Sequence, residues 1–288
     1  MTLLLSWIGK DSRKTSSVYI ASDSRFSWNP TKRYDYGRKV FALKKSPDIL
    51  GYCGDVLYPT IILNQILEMD NDGLLFPTNT KNIERINIVF EEITKRFDTY
   101  PVDIAMRNSL EIIHISRDNE VDFICYVYSW KRENGWSKTE HIIPESSDKV
   151  IILGSGKDEF FDRYLRYYNG NNGKTSRAIF QCLCHTLLEI KDLQCGGSPQ
   201  LVGLYNRFNG KNFGVVYNNK RYYLGKEVSI SENLNRIEWR NELFERYDGS
   251  KLKILEGAQK QPNDLKPLRS ESLYLHKEKN NGGGEKNA

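Results

Sequence analysis

Residues 2–25 read Thr2-Leu3-Leu4-Leu5-Ser6-Trp7-Ile8-Gly9-Lys10-Asp11-Ser12-Arg13-Lys14-Thr15-Ser16-Ser17-Val18-Tyr19-Ile20-Ala21-Ser22-Asp23-Ser24-Arg25, and the fold turns on how they are read. The apolar runs 3–8 and 17–22 have the length and β-branched or aromatic content of strands, and the polar loop 9–16 between them suits a hairpin connection. The chain therefore opens as strand, turn, strand. Residues 38–43 and 49–53 form a second such pair around Lys44-Lys45-Ser46-Pro47-Asp48, so four strands are predicted before residue 55.

Outward from this block the period changes. Apolar residues at helical spacing (Ile61, Ile62, Ile66, Met69, then Ile83, Ile86, Phe90, Ile93, Phe97) predict helices over 56–69 and 82–97. Strand-like runs return at 110–116, 121–130 and 150–153, helices at 158–168 and 175–190, and strands at 200–205, 213–217 and 221–224. Blocks segregated in this way argue for the α+β class, with antiparallel sheets and helices packed on them, and against alternating parallel units. Beyond residue 225 the pattern weakens. Residues 226–260 read as a charged helical extension centred on 232–247, and 261–288, rich in Lys, Asn, Gly and Glu, as a disordered tail.

Composition excludes several classes. The 288 residues are 39% hydrophobic, 27% charged and 12% aromatic, a globular balance. No apolar run approaches the roughly 20 residues that span a bilayer, and the stretch from Met1 lacks a basic leader, so membrane insertion and export are not expected. Five cysteines, an odd number without zinc-type pairs, predict reduced thiols in a cytoplasm. The net charge of +5 is not gathered into one stripe, which speaks against nucleic acid as a partner.

Three positions carry chemistry. Thr2 follows the initiator methionine and opens the first strand, so removal of Met1 would place a free α-amine beside the threonine hydroxyl. An α-amine titrates near 7.7–8.0, and a fraction is neutral at pH 7 and able to take the hydroxyl proton. Asp23 ends the second strand in Ala21-Ser22-Asp23-Ser24-Arg25, and sixteen residues later Lys39 opens the third in Gly37-Arg38-Lys39-Val40-Phe41. Taken singly, such residues are most often a trimmed start, a turn carboxylate and a solvated lysine.

Together they resemble the N-terminal threonine hydrolases, in particular proteasome β subunits and the bacterial proteasome-like peptidases. The resemblance rests on the opening threonine, the A-D-S-R-like motif at Asp23, the lysine sixteen residues on, and three later stretches. In Leu50-Gly51-Tyr52-Cys53-Gly54-Asp55, Gly54 stands where the family has an oxyanion-binding glycine. Gly154-Ser155-Gly156 resembles the family's G-S-G segment, and Asp192-Leu193-Gln194-Cys195-Gly196-Gly197 its D-x-x-S-G-G segment, with Cys195 in place of serine. A thiol hydrogen-bonds more weakly than a hydroxyl.

The resemblance covers roughly residues 2–225 and implies a four-layer αββα sandwich of two antiparallel sheets with helices outside. It implies a threonine-type peptidase acting on peptides or unfolded protein. Thr2, Asp23, Lys39, Gly54, Ser155, Asp192 and Cys195 would form its site, and no metal or organic cofactor would take part. Family members assemble into rings, so a homo-oligomer with an unfoldase partner is also implied. Other readings stay open at this level: a small-molecule amidohydrolase on the same fold, a catalytically silent structural subunit that keeps Met1, and Cys195 as nucleophile, for which the nearest histidine is His185.

Overall fold

The opening run folds as a strand because its alternate side chains enter two different cores. Leu3, Leu5 and Trp7 pack with residues of two late helices, while Leu4 and Ile8 pack against a second sheet. Burial on both faces explains why the run is apolar throughout rather than alternating. In the computed structural model residues 2–260 are described, apart from 12–13, 30, 102–107, 120–121, 171–172 and 230–232. The predicted tail at 261–288 lies outside the described residues.

Six strands come first: β1 (Leu4–Lys10), β2 (Thr15–Ser22), β3 (Phe26–Ser27), β4 (Arg33–Tyr34), β5 (Val40–Ala42) and β6 (Asp48–Gly54). Helices α1 (Leu57–Asp72) and α2 (Asn82–Asp98) follow, then β7 (Leu110–Asp118), β8 (Asp122–Lys131), β9 (Gly135–His141) and β10 (Lys149–Leu153). After α3 (Lys157–Tyr168) and α4 (Ser176–Glu189) come β11 (Gln200–Tyr205), β12 (Lys211–Tyr217), β13 (Lys220–Tyr223) and β14 (Lys226–Glu227). The last strands are β15 (Trp239–Asn241), β16 (Arg246–Asp248) and β17 (Lys253–Ile254).

The larger sheet has the order β10-β1-β2-β11-β12-β15-β16-β17, with β13 and β14 attached at β12, and the second has the order β5-β6-β7-β8-β9. Apolar side chains of α3 and α4, among them Phe160, Ile179, Phe180 and Leu183, share a core with the outer face of β1, β2, β11 and β12. On the other side of the molecule, Ile62, Ile66, Ile86, Val89 and Ile93 of α1 and α2 pack on β6, β7 and β8. Between the two sheets lies a third core that includes Leu4, Val18, Ile20, Val40, Ile49, Ile113, Ile115 and Val202. The fold is thus mixed α and β, with strands and helices in the predicted blocks. Among the described residues, no helix is long and apolar enough to cross a membrane.

The structure corrects the sequence reading at two places and adds strands β3, β4 and β9 where none is predicted. The described residues of 226–260 form no helical extension: apart from a 3-10 turn at Leu234–Arg236, their regular structure is short strands. The cause is burial. Trp239 is 1% exposed, its indole N–H donates to the Leu234 carbonyl at 2.6 Å, and its ring occupies the space that the missing side chain of Gly214 leaves open. Charged residues at helical spacing gave the contrary signal, but tertiary packing overrides a weak propensity. Second, β15 pairs in parallel with β12, so the larger sheet is not purely antiparallel. Of the added strands, β9 is a polar edge with Ser137, Lys138, Thr139 and Glu140 exposed, and it carries no apolar pattern to announce it.

Candidate active site

The register of the first hairpin assembles the site. β1 and β2 pair so that Leu4 faces Ser22, and the Asp23 N–H donates to the Leu3 carbonyl at 3.2 Å, which sets Thr2 and Asp23 side by side at one end of the sheet. Lys39 enters from the residue before β5. Its Nζ donates to Thr2 Oγ1 and to Asp23 Oδ1, each at 2.8 Å. The three residues are 2%, 0% and 1% exposed. A buried ion pair survives only when its remaining valences are met. Asp23 meets them with three backbone donors, Leu3 N–H at 3.1 Å, Arg25 N–H at 3.2 Å and Gly196 N–H at 3.0 Å.

A second group gathers at the Thr2 main chain. The Thr2 N–H points to Ser155 Oγ at 3.4 Å, and the Thr2 carbonyl accepts from Gly156 N–H at 3.2 Å. Ser155 Oγ lies 3.6 Å from Cys195 Sγ, which in turn donates to Asp192 Oδ2 at 3.3 Å. Burial pushes the Asp192 carboxyl up, but hydrogen bonds from Ser155, the Gln194 N–H and Cys195 outweigh it and hold the group below the usual carboxylate range. Burial and the negative charge of Asp23 both push the Cys195 thiol up. It is therefore a neutral donor at physiological pH and a poor nucleophile. His185 does not activate it, since that ring is engaged with the Tyr167 hydroxyl at 2.6 Å.

Six of the seven residues named from the sequence are thus linked by contacts: Thr2, Asp23 and Lys39 through the threonine oxygen, and Ser155, Asp192 and Cys195 near its nitrogen. Gly54 stands apart from these contacts. It ends β6 with φ +95°, where an added Cβ would lie 2.1 Å from the Ser109 carbonyl oxygen. Two residues before it, the Tyr52 N–H donates to the Lys39 carbonyl at 3.0 Å, which ties this strand end to the site.

Two supports were not foreseen. Gln200, 1% exposed, accepts from the Lys39 N–H at 3.0 Å and donates to the carbonyls of Asp23 at 3.0 Å and Gly37 at 2.7 Å, so one side chain fixes the backbones of both ion-pair partners. Arg25 forms a two-pronged pair with Asp35 at 2.7 and 2.8 Å and donates to the Leu193 and Cys195 carbonyls at 3.2 and 3.0 Å, clamping the 192–197 loop. The adjacency of Arg25 to Asp23 is visible in the sequence, whereas the separations of 161 and 177 residues that Gln200 bridges are not.

Comparison with known proteins addresses the fold. The sequence matches no protein-family profile and no curated protein. Among solved structures, Anbu (ancestral β-subunit) from Yersinia bercovieri is similar with a TM-score of 0.51 at 11% identity, over 77% of this chain and 86% of that one. The structure described as the helical assembly of the Anbu complex from Pseudomonas aeruginosa gives a TM-score of 0.51 at 13% identity, over 77% of this chain and 87% of that one. Eukaryotic HslV from Trypanosoma brucei gives 0.44 at 9% identity, over 70% and 99% of the two chains. This chain shares the fold of the two Anbu structures. At such identities the likeness extends to the fold alone.

Proposed function

We propose that this protein is an N-terminal threonine hydrolase that cleaves peptide bonds once Met1 is removed. One observation carries the reading: a buried ammonium, Lys39 Nζ, sits 2.8 Å from the Thr2 hydroxyl oxygen and 2.8 Å from a buried carboxylate. A cation so placed favours the alkoxide over the alcohol. A free Thr2 amine, near Ser155 and with Asp192 and Cys195 behind it, would accept the hydroxyl proton directly or through a water. Thr2 Oγ1 would then attack the substrate carbonyl carbon, and the resulting oxyanion would be held by the Gly54 N–H. The C–N bond breaks as the proton passes to the leaving amine. Water then hydrolyses the ester, regenerating Thr2.

The same reading carries several finer statements. The three cores described above support a four-layer sandwich, with helices outside two facing sheets. The hydrolase motifs fall within residues 2–225, and 226–260 extend the larger sheet of the same unit. Peptides or unfolded polypeptides are the substrates, and the protein works in the cytoplasm as a homo-oligomer, in a closed ring or a helical array, fed by an unfoldase.

The experiment is a pair of mass measurements. Intact mass of the purified chain is expected to show loss of Met1, and a threonine-directed electrophile is expected to add once, at Thr2. The adduct should persist in Cys195→Ala and vanish in Thr2→Ala. A chain that keeps Met1, or an adduct on Cys195, would overturn the proposal.

A further inference from the structure

Strand β1 has two ends. Thr2 lies just before one, and Lys10 closes the other, about 25 Å away at the usual rise of a strand. At this far end a cavity of about 420 Å³ opens between the first hairpin, the start of α4 and the C-terminal strands. That volume is within the range of small-molecule sites. Its charged lining consists of Lys10, Lys174, Arg177, Arg240 and Lys260, with no Asp or Glu among the lining residues.

The carboxylates that face these cations lie behind the wall. Glu238 pairs with Arg240, and Glu245 is close enough to act on Arg177. Among the described residues Lys10, Lys174 and Lys260 form no ion pair: Lys10 donates to the Glu145 carbonyl, and the Lys174 ammonium lies over the Tyr168 ring. Arg177 donates one N–H each to the carbonyls of Lys260 and Gln259, both at 2.8 Å, which uses two of its five donors and none of its charge. Arg240 is stacked over Phe244, its side chain is 13% exposed, and its Nε has no hydrogen-bond partner among the described residues. Ser16, Ser17, Ser147, Thr175, Ser176 and Gln259 add neutral polar groups to the lining, and Tyr19, Tyr205 and Phe244 supply aromatic surface.

An excess of positive charge in a concave site, with fixed hydroxyls and guanidinium donors, suits a compact polyanion. The start of α4, capped by Thr175, adds the favourable end of a helix dipole. We propose that this cavity binds a small phosphate-bearing molecule, and that residues 239–260, which supply Arg240, Phe244, Gln259 and Lys260, help to build it. The site does not depend on hydrolysis at Thr2, since direct binding reads it without turnover.

The test is isothermal calorimetry on the full chain with pyrophosphate and adenosine monophosphate as probes, adenosine as the neutral control, and Arg177→Gln, Lys174→Gln and the distant surface change Lys251→Gln as variants. At least one phosphate probe is expected to bind where adenosine does not. Arg177→Gln and Lys174→Gln should each weaken it tenfold or more, and Lys251→Gln should leave it unchanged. Lys174 is exposed, so its variant remains folded even if Arg177→Gln does not. Lack of binding of either probe up to about 5 mM, a level that would detect a free energy near −3 kcal/mol, overturns the assignment. Equal weakening by all three variants, or binding that survives both cavity changes, overturns it as well.

Discussion

On the proposed mechanism Lys39 has a double role, and its replacement separates stability from chemistry. Lys39→Ala removes the cation from a fully buried carboxylate, which costs about 3 kcal/mol where a buried pair is broken on one side. Three backbone N–H groups still hold Asp23, so the chain should fold with a lowered melting temperature. Hydrolysis should fall by about 10³ or more, the order of a lost proton-transfer or electrostatic contribution. Peptide turnover together with thermal melts checks both; turnover within tenfold of wild type would remove Lys39 from the mechanism. The pH profile sorts the other ionisable groups. Asp192 is held below the usual carboxylate range, so it is ionised across the neutral region and cannot supply a limb there. On the proposed mechanism the rising limb belongs to the free Thr2 amine, which must be neutral to take the hydroxyl proton. Asp192→Asn should lower the plateau and, by removing a negative charge near that amine, shift the limb to lower pH. The linkage runs in the same sense: a depressed carboxyl stabilises the fold above its unfolded value near 3.9 and loses that contribution as pH falls through the folded one. Acid melts of the wild type and Asp192→Asn should converge only below that range.

At the scale of elements, the site is made of strand ends held by short connections. Thr2 precedes β1, Asp23 follows β2, Lys39 precedes β5, Ser155 follows β10, and Cys195 lies in the loop before β11. The turn after β10 shows how tight the assembly is. Gly154 has φ +88°, and an added Cβ would lie 2.0 Å from the Thr2 carbonyl oxygen. Gly154→Ala should cost about 1–3 kcal/mol in backbone strain. It should also displace Thr2, and a shift near 1 Å at a reacting group is worth about 10² in rate. Electrophile labelling at Thr2 measures this directly, and labelling at the wild-type rate would contradict the packing argument. The strand ends were legible because the motifs stand in order and at set spacing beside β-type runs, although each residue alone has a bland use: Asp23 after 17–22, Lys39 sixteen residues on before Val40-Phe41, the G-S-G triplet after 150–153. Gln200 was not legible, since a glutamine at the start of a strand has no distinguishing pattern and its partners are remote in sequence. Nor was β9, whose exposed polar side chains reveal nothing until β8 is there to pair with.

Over the whole molecule, the question is where the folding unit ends. The resemblance to N-terminal threonine hydrolases stops near residue 225, and the charge pattern beyond it predicts a helical extension. In the structure, β15 joins the larger sheet beside β12, and Leu234, Trp239, Leu243 and Phe244 are all at most 5% exposed. Phe244 stacks edge-on against Trp7 and Tyr19, two residues of the opening hairpin, and packs against Phe180 of α4. The far end of the sequence thus closes the core that its first strand begins. At about 1.5–3 kcal/mol for each large side chain buried, these four contribute roughly 6–12 kcal/mol, comparable with the 5–15 kcal/mol that holds a typical domain together. A chain ending at Gly225 should therefore fail to fold cooperatively and should expose the Trp7, Tyr19 and Phe180 cluster. A chain ending at Lys260 keeps every one of these contacts and should melt within a few degrees of the full protein. Circular dichroism melts of the two truncations decide the matter, and a stable, cooperative unit ending at Gly225 would restore the boundary that the motifs alone suggest.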